Sequence, residues 1–228
     1  MKIDRHELEV RFEGTIIFPS HIVLEQYSRS LPYCQVVLSG ENRQSTKTGG
    51  SISIGLDGER LFTGSVLGKG RARGGDLLKC GFNLAPSIAN LRKEMAPYIF
   101  EKLAEQSAVE DFIADIPEVE FQHFHCSGDG WGNLLSLATA LEDFSDASYD
   151  LFFDNKGALN LKPVRQAGYP KVEFERGKNV ILMGYKRLKS FPVPLGYGDL
   201  IGVNQEVHRV TGLRYEISPR NSLMEVFF

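Results

Sequence analysis

Apolar and polar side chains alternate through the first third of the chain. Leu8, Val10 and Phe12 are separated by charged residues, the period-2 signature of a half-buried strand. Ile22 and Leu24 continue the pattern, and Cys34, Val36 and Leu38 repeat it after a Ser-Leu-Pro turn. The run Ser51–Val66 predicts a hairpin. Its Asp57-Gly58 pair suits a two-residue type I′ turn, whose central positions both need positive φ. A second hairpin is expected to turn at Arg73-Gly74-Gly75 and return through Leu77, Leu78, Cys80 and Phe82. Short strands joined by glycine turns predict a small barrel or sandwich over residues 1–85.

The period changes over residues 86–168. From Pro97 onward Ile99, Phe100, Leu103, Ala104 and Ser107 fall at helical spacing, with Glu101 and Glu105 facing out. Pro97 suits a first helical turn, where its missing N–H costs nothing. Val119 and Phe121 alternate with Glu120 and Gln122 as a strand. Trp131, Leu134, Leu135, Ala138 and Leu141 mark one face of a second helix, with Asp129 placed to cap its free N–H groups. Tyr149–Phe153 and Ala158–Leu161 predict a hairpin turning at Asn155-Lys156-Gly157. Residues 169–228 return to strands: 172–174, 180–185, 200–203, 207–217 and 223–228, with Pro192 and Pro194 flanking a loop. The predicted class is α+β, a helix–strand–helix–hairpin insert flanked by two β units. A small echo links those units. Phe62-Thr63-Gly64 and Val210-Thr211-Gly212 each set an apolar residue before Thr-Gly at a strand, and a turn and closing strand follow both.

Composition narrows the field. The 228 residues (25.5 kDa) are 42% hydrophobic, enough for a core and incompatible with wholesale disorder. The best apolar run, Asn179–Tyr185, is far short of the ~20 residues a membrane-spanning helix needs. Met1–Val10 mixes Lys2, Asp4, Arg5 and Glu7 with apolar residues, unlike a signal peptide. With 26 basic against 29 acidic side chains there is no nucleic-acid footprint. The three cysteines, Cys34, Cys80 and Cys126, form no CxxC pair or disulfide framework, which fits a reducing compartment. The 23 glycines point to many tight turns.

No constellation of catalytic residues emerges. His123 and His125 share one face of a strand and offer two metal ligands, but a third and fourth are missing, with His208 and Asp129 the nearest guesses. The simpler reading is a strand end with Cys126 buried on the other face. Lys69–Gly75 lacks the Gly-Lys-Ser/Thr ending of a phosphate loop and joins strand to strand, so it reads as a hairpin tip. Ser127-Gly128-Asp129-Gly130 puts aspartate where a nucleophile elbow needs serine, so it reads as a helix cap. Glu142, Asp143, Asp146, Asp150 and Asp154 decorate a helix end and hairpin, where solvated charge is the default. No catalytic, cofactor-binding or metal-binding residue is expected. Two alternatives stay open: a split β-barrel enzyme binding a flavin or other small ligand, and a metal-dependent hydrolase centred on His123 and His125.

Several segments together resemble the tail hub proteins of contractile-tailed phages, the family of phage late control D proteins and the N-terminal half of VgrG spikes. They are Asp76–Leu84 passing into an Ala-rich helical stretch at Ser87–Arg92, the helix from Pro97 to Val109, and Trp131–Phe144 followed by Tyr149–Leu161. Leu195–Val203 and Val207–Tyr215 resemble the family's closing barrel. The likeness covers most of the chain in short, degenerate motifs. His208 precedes the Thr-Gly where the family's histidine follows it, and the chain is short for the family. The resemblance implies two small antiparallel β-barrels, residues 1–85 and 169–228, flanking the insert at 86–168. It implies a non-enzymatic phage or prophage baseplate hub without cofactors. Three copies would form a pseudo-sixfold ring between tail tube and tip or spike protein. Such a protein sits in the virion tail after assembly in the host cytoplasm, with no membrane insertion and no specific nucleic acid. The expected interface lies on the hairpins Ser51–Val66 and Val207–Ile217, at Ile52, Ile54, Leu61, Phe62, Val66, Val210, Leu213 and Tyr215.

Overall fold

The computed structural model describes residues 2–3, 6–39, 46–164, 168–219 and 221–228. They divide into two compact units: Met1–Phe82 with Gln166–Phe228, and Asn83–Arg165, which interrupts the first in sequence. The N-terminal part of the first unit holds β1 (Lys2–Ile3), β2 (His6–Phe12), β3 (Thr15–Ile17), β4 (Pro19–Tyr27) and β5 (Tyr33–Leu38). It continues with β6 (Ser51–Leu56), β7 (Glu59–Ala72) and β8 (Gly75–Gly81). The alternation read from the sequence becomes register: Leu8, Val10 and Phe12 of β2 lie opposite Leu56, Ile54 and Ile52 of β6, all six buried. Between β6 and β7 the chain reverses through Asp57 (φ 52°) and Gly58 (φ 81°), the positive pair a type I′ turn demands.

The inserted unit runs β9 (Ser87–Leu91), β10 (Glu94–Met95), α1 (Ala96–Gln106), β11 (Phe112–Ala114) and β12 (Glu120–Phe121). It then runs β13 (Phe124–Gly128), α2 (Gly130–Ser145), β14 (Tyr149–Phe153) and β15 (Leu159–Pro163). α1 begins beside Pro97 and buries Ile99, Phe100, Leu103 and Ala104. α2 is capped by the Asp129 carboxylate, which accepts the Gly132 N–H at 2.7 Å. Trp131 stacks on Phe153, their ring centres 6.1 Å apart. β14 and β15 pair antiparallel and β11 runs parallel to β15. Ser87–Arg92, expected to be helical, departs from that expectation: Ser87–Leu91 is a strand paired with β13. Ser87 and Ala89 turn inward while Ile88 and Asn90 turn out, and Asn133 Nδ2 of α2 donates to both the Ser87 carbonyl and its hydroxyl at 2.7 and 2.8 Å.

The chain then re-enters the first unit as β16 (Val172–Phe174), β17 (Val180–Gly184), β18 (Arg187–Ser190), β19 (Leu200–Val203), β20 (Glu206–Arg209), β21 (Gly212–Ile217) and β22 (Ser222–Phe227). Four of these extend the N-terminal strands into one 12-stranded sheet, β1-β2-β6-β7-β8-β5-β4-β21-β22-β18-β17, with β3 also on β2. The seam is β4 against β21, where Ile22 faces Ile217 and Leu24 faces Tyr215. β16, β19 and β20 form a separate three-stranded sheet. Among the described residues the long path is open and closes into no barrel. A single hydrophobic core draws on both sequence segments, from Leu8 and Phe62 to Phe174, Ile201 and Val226. The expected strand 207–217 is two strands in two different sheets. Val210 is buried between them, and its N–H donates to the Asp199 carbonyl at 2.8 Å.

Candidate functional site

The eight side chains expected at a subunit interface all point into the core of the first unit. Ile52, Ile54, Leu61, Phe62, Val66, Val210, Leu213 and Tyr215 are each 1% exposed or less. The strands that carry most of them have both edges taken: β6 by β2 and β7, β7 by β6 and β8, β21 by β4 and β22. What these strands present outward is the alternate set, including Ser53, Thr63, Arg214 and Glu216.

Tyr215 shows what burial does with a polar tip. Its hydroxyl accepts the Leu195 N–H at 2.9 Å and faces the carbonyls of Val193 at 2.8 Å and Leu195 at 3.0 Å. Burial raises the phenol pKa, so the hydroxyl stays protonated and fixes the 193–195 loop over the core. Nearby, Lys171 Nζ lies 3.2 Å from Glu59 and 3.4 Å from Asp199. Partial burial opposes the ammonium charge, but Asp199 and Glu59 outweigh it and raise the Lys171 pKa. The turn residue Asp57 is a second anchor. One carboxylate oxygen is 2.6 Å from His6 Nδ1 and the other accepts the Glu7 N–H at 2.8 Å. Partial burial works against the Asp57 charge, but the hydrogen bonds from His6 and Glu7 prevail and lower its pKa.

The echoed Thr-Gly pairs occupy tight places. A Cβ on Gly64 would sit 2.7 Å from the Phe62 ring and 2.8 Å from the Gly81 carbonyl, and one on Gly212 would sit 2.6 Å from the Tyr27 ring. Both positions therefore exclude a side chain for want of space.

In the inserted unit His123 and His125 are exposed and alternate with buried Phe124 and Cys126. Asp129 is occupied as the α2 cap, and His208 lies in β20 of the first unit, 3.5 Å from Glu206. Among the described residues no three His, Cys, Asp or Glu side chains gather in a metal-holding group. The Lys69–Gly75 segment is the tip of the β7–β8 hairpin. Asp154 holds the β14–β15 turn by accepting the Lys156 and Ala158 N–H groups at 2.9 and 3.0 Å. Asp150 departs from the solvated-charge expectation: it is buried in β14, opposite Lys162.

Sequence reasoning missed the exposed apolar residues on and beside β3 and β17, at two edges of the long sheet. Ile16 and Phe18 flank the end of β3, and Ile181, Leu182 and Tyr185 lie on and just after β17. The apolar run Asn179–Tyr185 was visible in the sequence as hydrophobicity, but only the pairing order reveals that it is an edge.

No protein-family model matches the sequence, and no curated protein matches it. Solved structures do. The chain is similar to the tail protein from Neisseria meningitidis MC58 with a TM-score of 0.77 and 11% identity, over 97% of this chain and 95% of that one. It is similar to the 43 kDa tail protein of prophage MuSo2 from Shewanella oneidensis (TM-score 0.73, 12% identity, 97% and 95% of the two chains). A third structure is an Escherichia coli component of the type VI secretion system, described as structurally similar to the T4 bacteriophage tail proteins gp27 and gp5. It matches with a TM-score of 0.67 and 11% identity over 96% of this chain and 75% of that one. The chain thus has a tail-protein fold, the fold expected of a tail hub family.

Proposed function

We propose that this chain is a structural, non-enzymatic hub protein of a phage or prophage tail. Three copies form a pseudo-sixfold ring that joins the tail tube to the tip or spike protein, assembled in the host cytoplasm and carried in the virion tail. The observation that carries this reading is fold likeness to tail proteins over 97% of the chain, spanning the β units and the insert together. The echo at Thr63-Gly64 and Thr211-Gly212 supports two related β units. In this reading residues 1–85 and 169–228 each supply one small barrel-like half of the ring segment, and residues 86–168 decorate it. Closed cyclic symmetry suits such an adaptor. Because the eight core side chains are internal, the hairpins they occupy can meet a neighbour only through their outward faces.

The test is light scattering and negative-stain microscopy of the purified chain, alone and with its tail tube protein. The expected particle is a trimeric ring with sixfold appearance. A monomer at every concentration, unchanged by the tube protein, overturns the reading.

A further inference from the structure

The long sheet of the first unit has two open ends, and their chemistry is complementary. At one end, among the described residues, β17 pairs with β18 as its only strand partner, and beyond that only Val180 makes a lone bridge, to Arg176. Its sequence Val-Ile-Leu-Met-Gly carries no charge, and Leu182 (58%) and the following Tyr185 (88%) are largely exposed. Around it, residues 176–189 contain Arg176, Lys178, Lys186, Arg187 and Lys189 and no acidic residue. Two of these cations face acids of the same chain, Lys178 with Glu175 and Arg187 with Glu225. At the other end β1 and β3 both pair with β2, and among the described residues β3 pairs with no other strand. Its Thr-Ile-Ile is also uncharged, and Ile16 (45%) and Phe18 (56%) are exposed. Residues 7–18 carry Glu7, Glu9 and Glu13 against the single cation Arg11, which is itself bound to Glu9 at 2.7 Å. An uncharged strand with an unpaired row of N–H and C=O groups is a template for another strand, and a chain that stays monomeric blunts such edges with charge, proline or cover.

We propose that β17 of one copy adds to the β3 edge of the next copy of this chain. The contact buries Ile181, Leu182 and Tyr185 against Ile16 and Phe18, and the basic flank of one end is drawn to the acidic flank of the other. It rests on the ring reading above and specifies its contact. Each copy uses two different surfaces, so the contact is head-to-tail, the kind that closes into a ring when its rotation permits.

Leu182→Lys and Ile16→Lys test the contact by light scattering at a concentration where the wild-type chain is oligomeric. Each variant alone is expected to fall to the mass of one chain while keeping the wild-type melting temperature. Mixed in equal amounts they should form a dimer and stop there, because each retains one intact end. Phe18→Lys replaces Ile16→Lys should the latter lower the melting temperature. If both variants keep the wild-type oligomer, the sheet ends are not the contact and the ring reading stands. A mixture that remains monomeric overturns the head-to-tail pairing. A monomeric wild type is followed by a Leu182→Cys/Ile16→Cys chain under a mild thiol oxidant, diamide. Absence of inter-chain disulfides there overturns the contact, while the ring itself stands or falls on the measurement with the tube protein.

Discussion

The hairpins β6–β7 and β17–β18 belong to the same sheet, yet they invert the usual relation between hydrophobicity and burial. β6, Ser-Ile-Ser-Ile-Gly-Leu, is half polar, and its three large apolar side chains are 1% exposed or less. β17, Val-Ile-Leu-Met-Gly, is entirely apolar or glycine, and Ile181 and Leu182 are more than half exposed. The difference is position. β6 has a strand on each side and its alternation matches the sheet's pleat, so every second residue reaches the core. Among the described residues β17 has a strand on one side only, apart from a lone Arg176–Val180 bridge, and its register shifts between Val180 and Leu182. Apolar character alone does not place a strand inside; its place in the pairing order does.

The sharpest way to break this comparison is truncation. Ile54→Ala should cost about 2–5 kcal/mol in chemical denaturation, because it removes packed atoms and leaves a cavity in the core. Leu182→Ala at a concentration where the chain is monomeric should stay within about 0.5 kcal/mol. Similar losses at the two sites would mean that β17 is packed within its own chain.

Glycines give the next contrast. A Cβ on Gly75 would collide with the Leu38 backbone carbonyl, whereas one on Gly184 would meet Arg187 atoms at 3.5 Å, an ordinary contact. Gly75→Ala should therefore cost about 1–3 kcal/mol in the same unfolding experiment through forced backbone movement. Gly184→Ala should be neutral or slightly stabilising. A neutral Gly75→Ala would show that the β5–β8 seam has slack.

The smallest effect concerns the turn. Since the folded pKa of Asp57 is lowered, the unfolded chain takes up its proton first as pH falls. The stabilisation is present above the ordinary carboxylate pKa of ~4 and is lost as pH drops through the folded value. Asp57→Asn keeps a residue that tolerates positive φ but removes this titration. Its melting temperature should fall less steeply than wild type below about pH 4. Parallel curves would place the acid sensitivity elsewhere.

Local rules made much of the fold legible. Asp57-Gly58 announces its turn, Pro97 and Asp129 mark the starts of α1 and α2, and Asn155-Lys156-Gly157 marks the β14–β15 reversal. Three features were hidden because a distant partner decides them. Ser87–Leu91 takes strand form from β13, which lies beyond α1 in the chain. Arg187–Ser190, with two cations in four residues, is a strand because β17 and β22 hold it on both sides. The run 207–217 looks continuous, but the buried Val210 marks where the chain leaves one sheet for another. The eight side chains expected at an interface are core residues within the chain for the same reason. Alternating apolar residues in Ser51–Val66 signal a core face, whereas a free edge is a property of pairing order, which no local pattern encodes.

Cys34 and Cys80 lie directly opposite each other on β5 and β8, sealed in the middle of the long sheet, with burial pushing the Cys34 thiol well up and that of Cys80 up to about 12. Neither can react as a thiolate until those strands separate, so their alkylation rate is a clock for opening of the sheet's centre. Cys126, buried in the inserted unit, keeps separate time. Three natural thiols thus report, without any added label, whether the two units unfold as one or in turn.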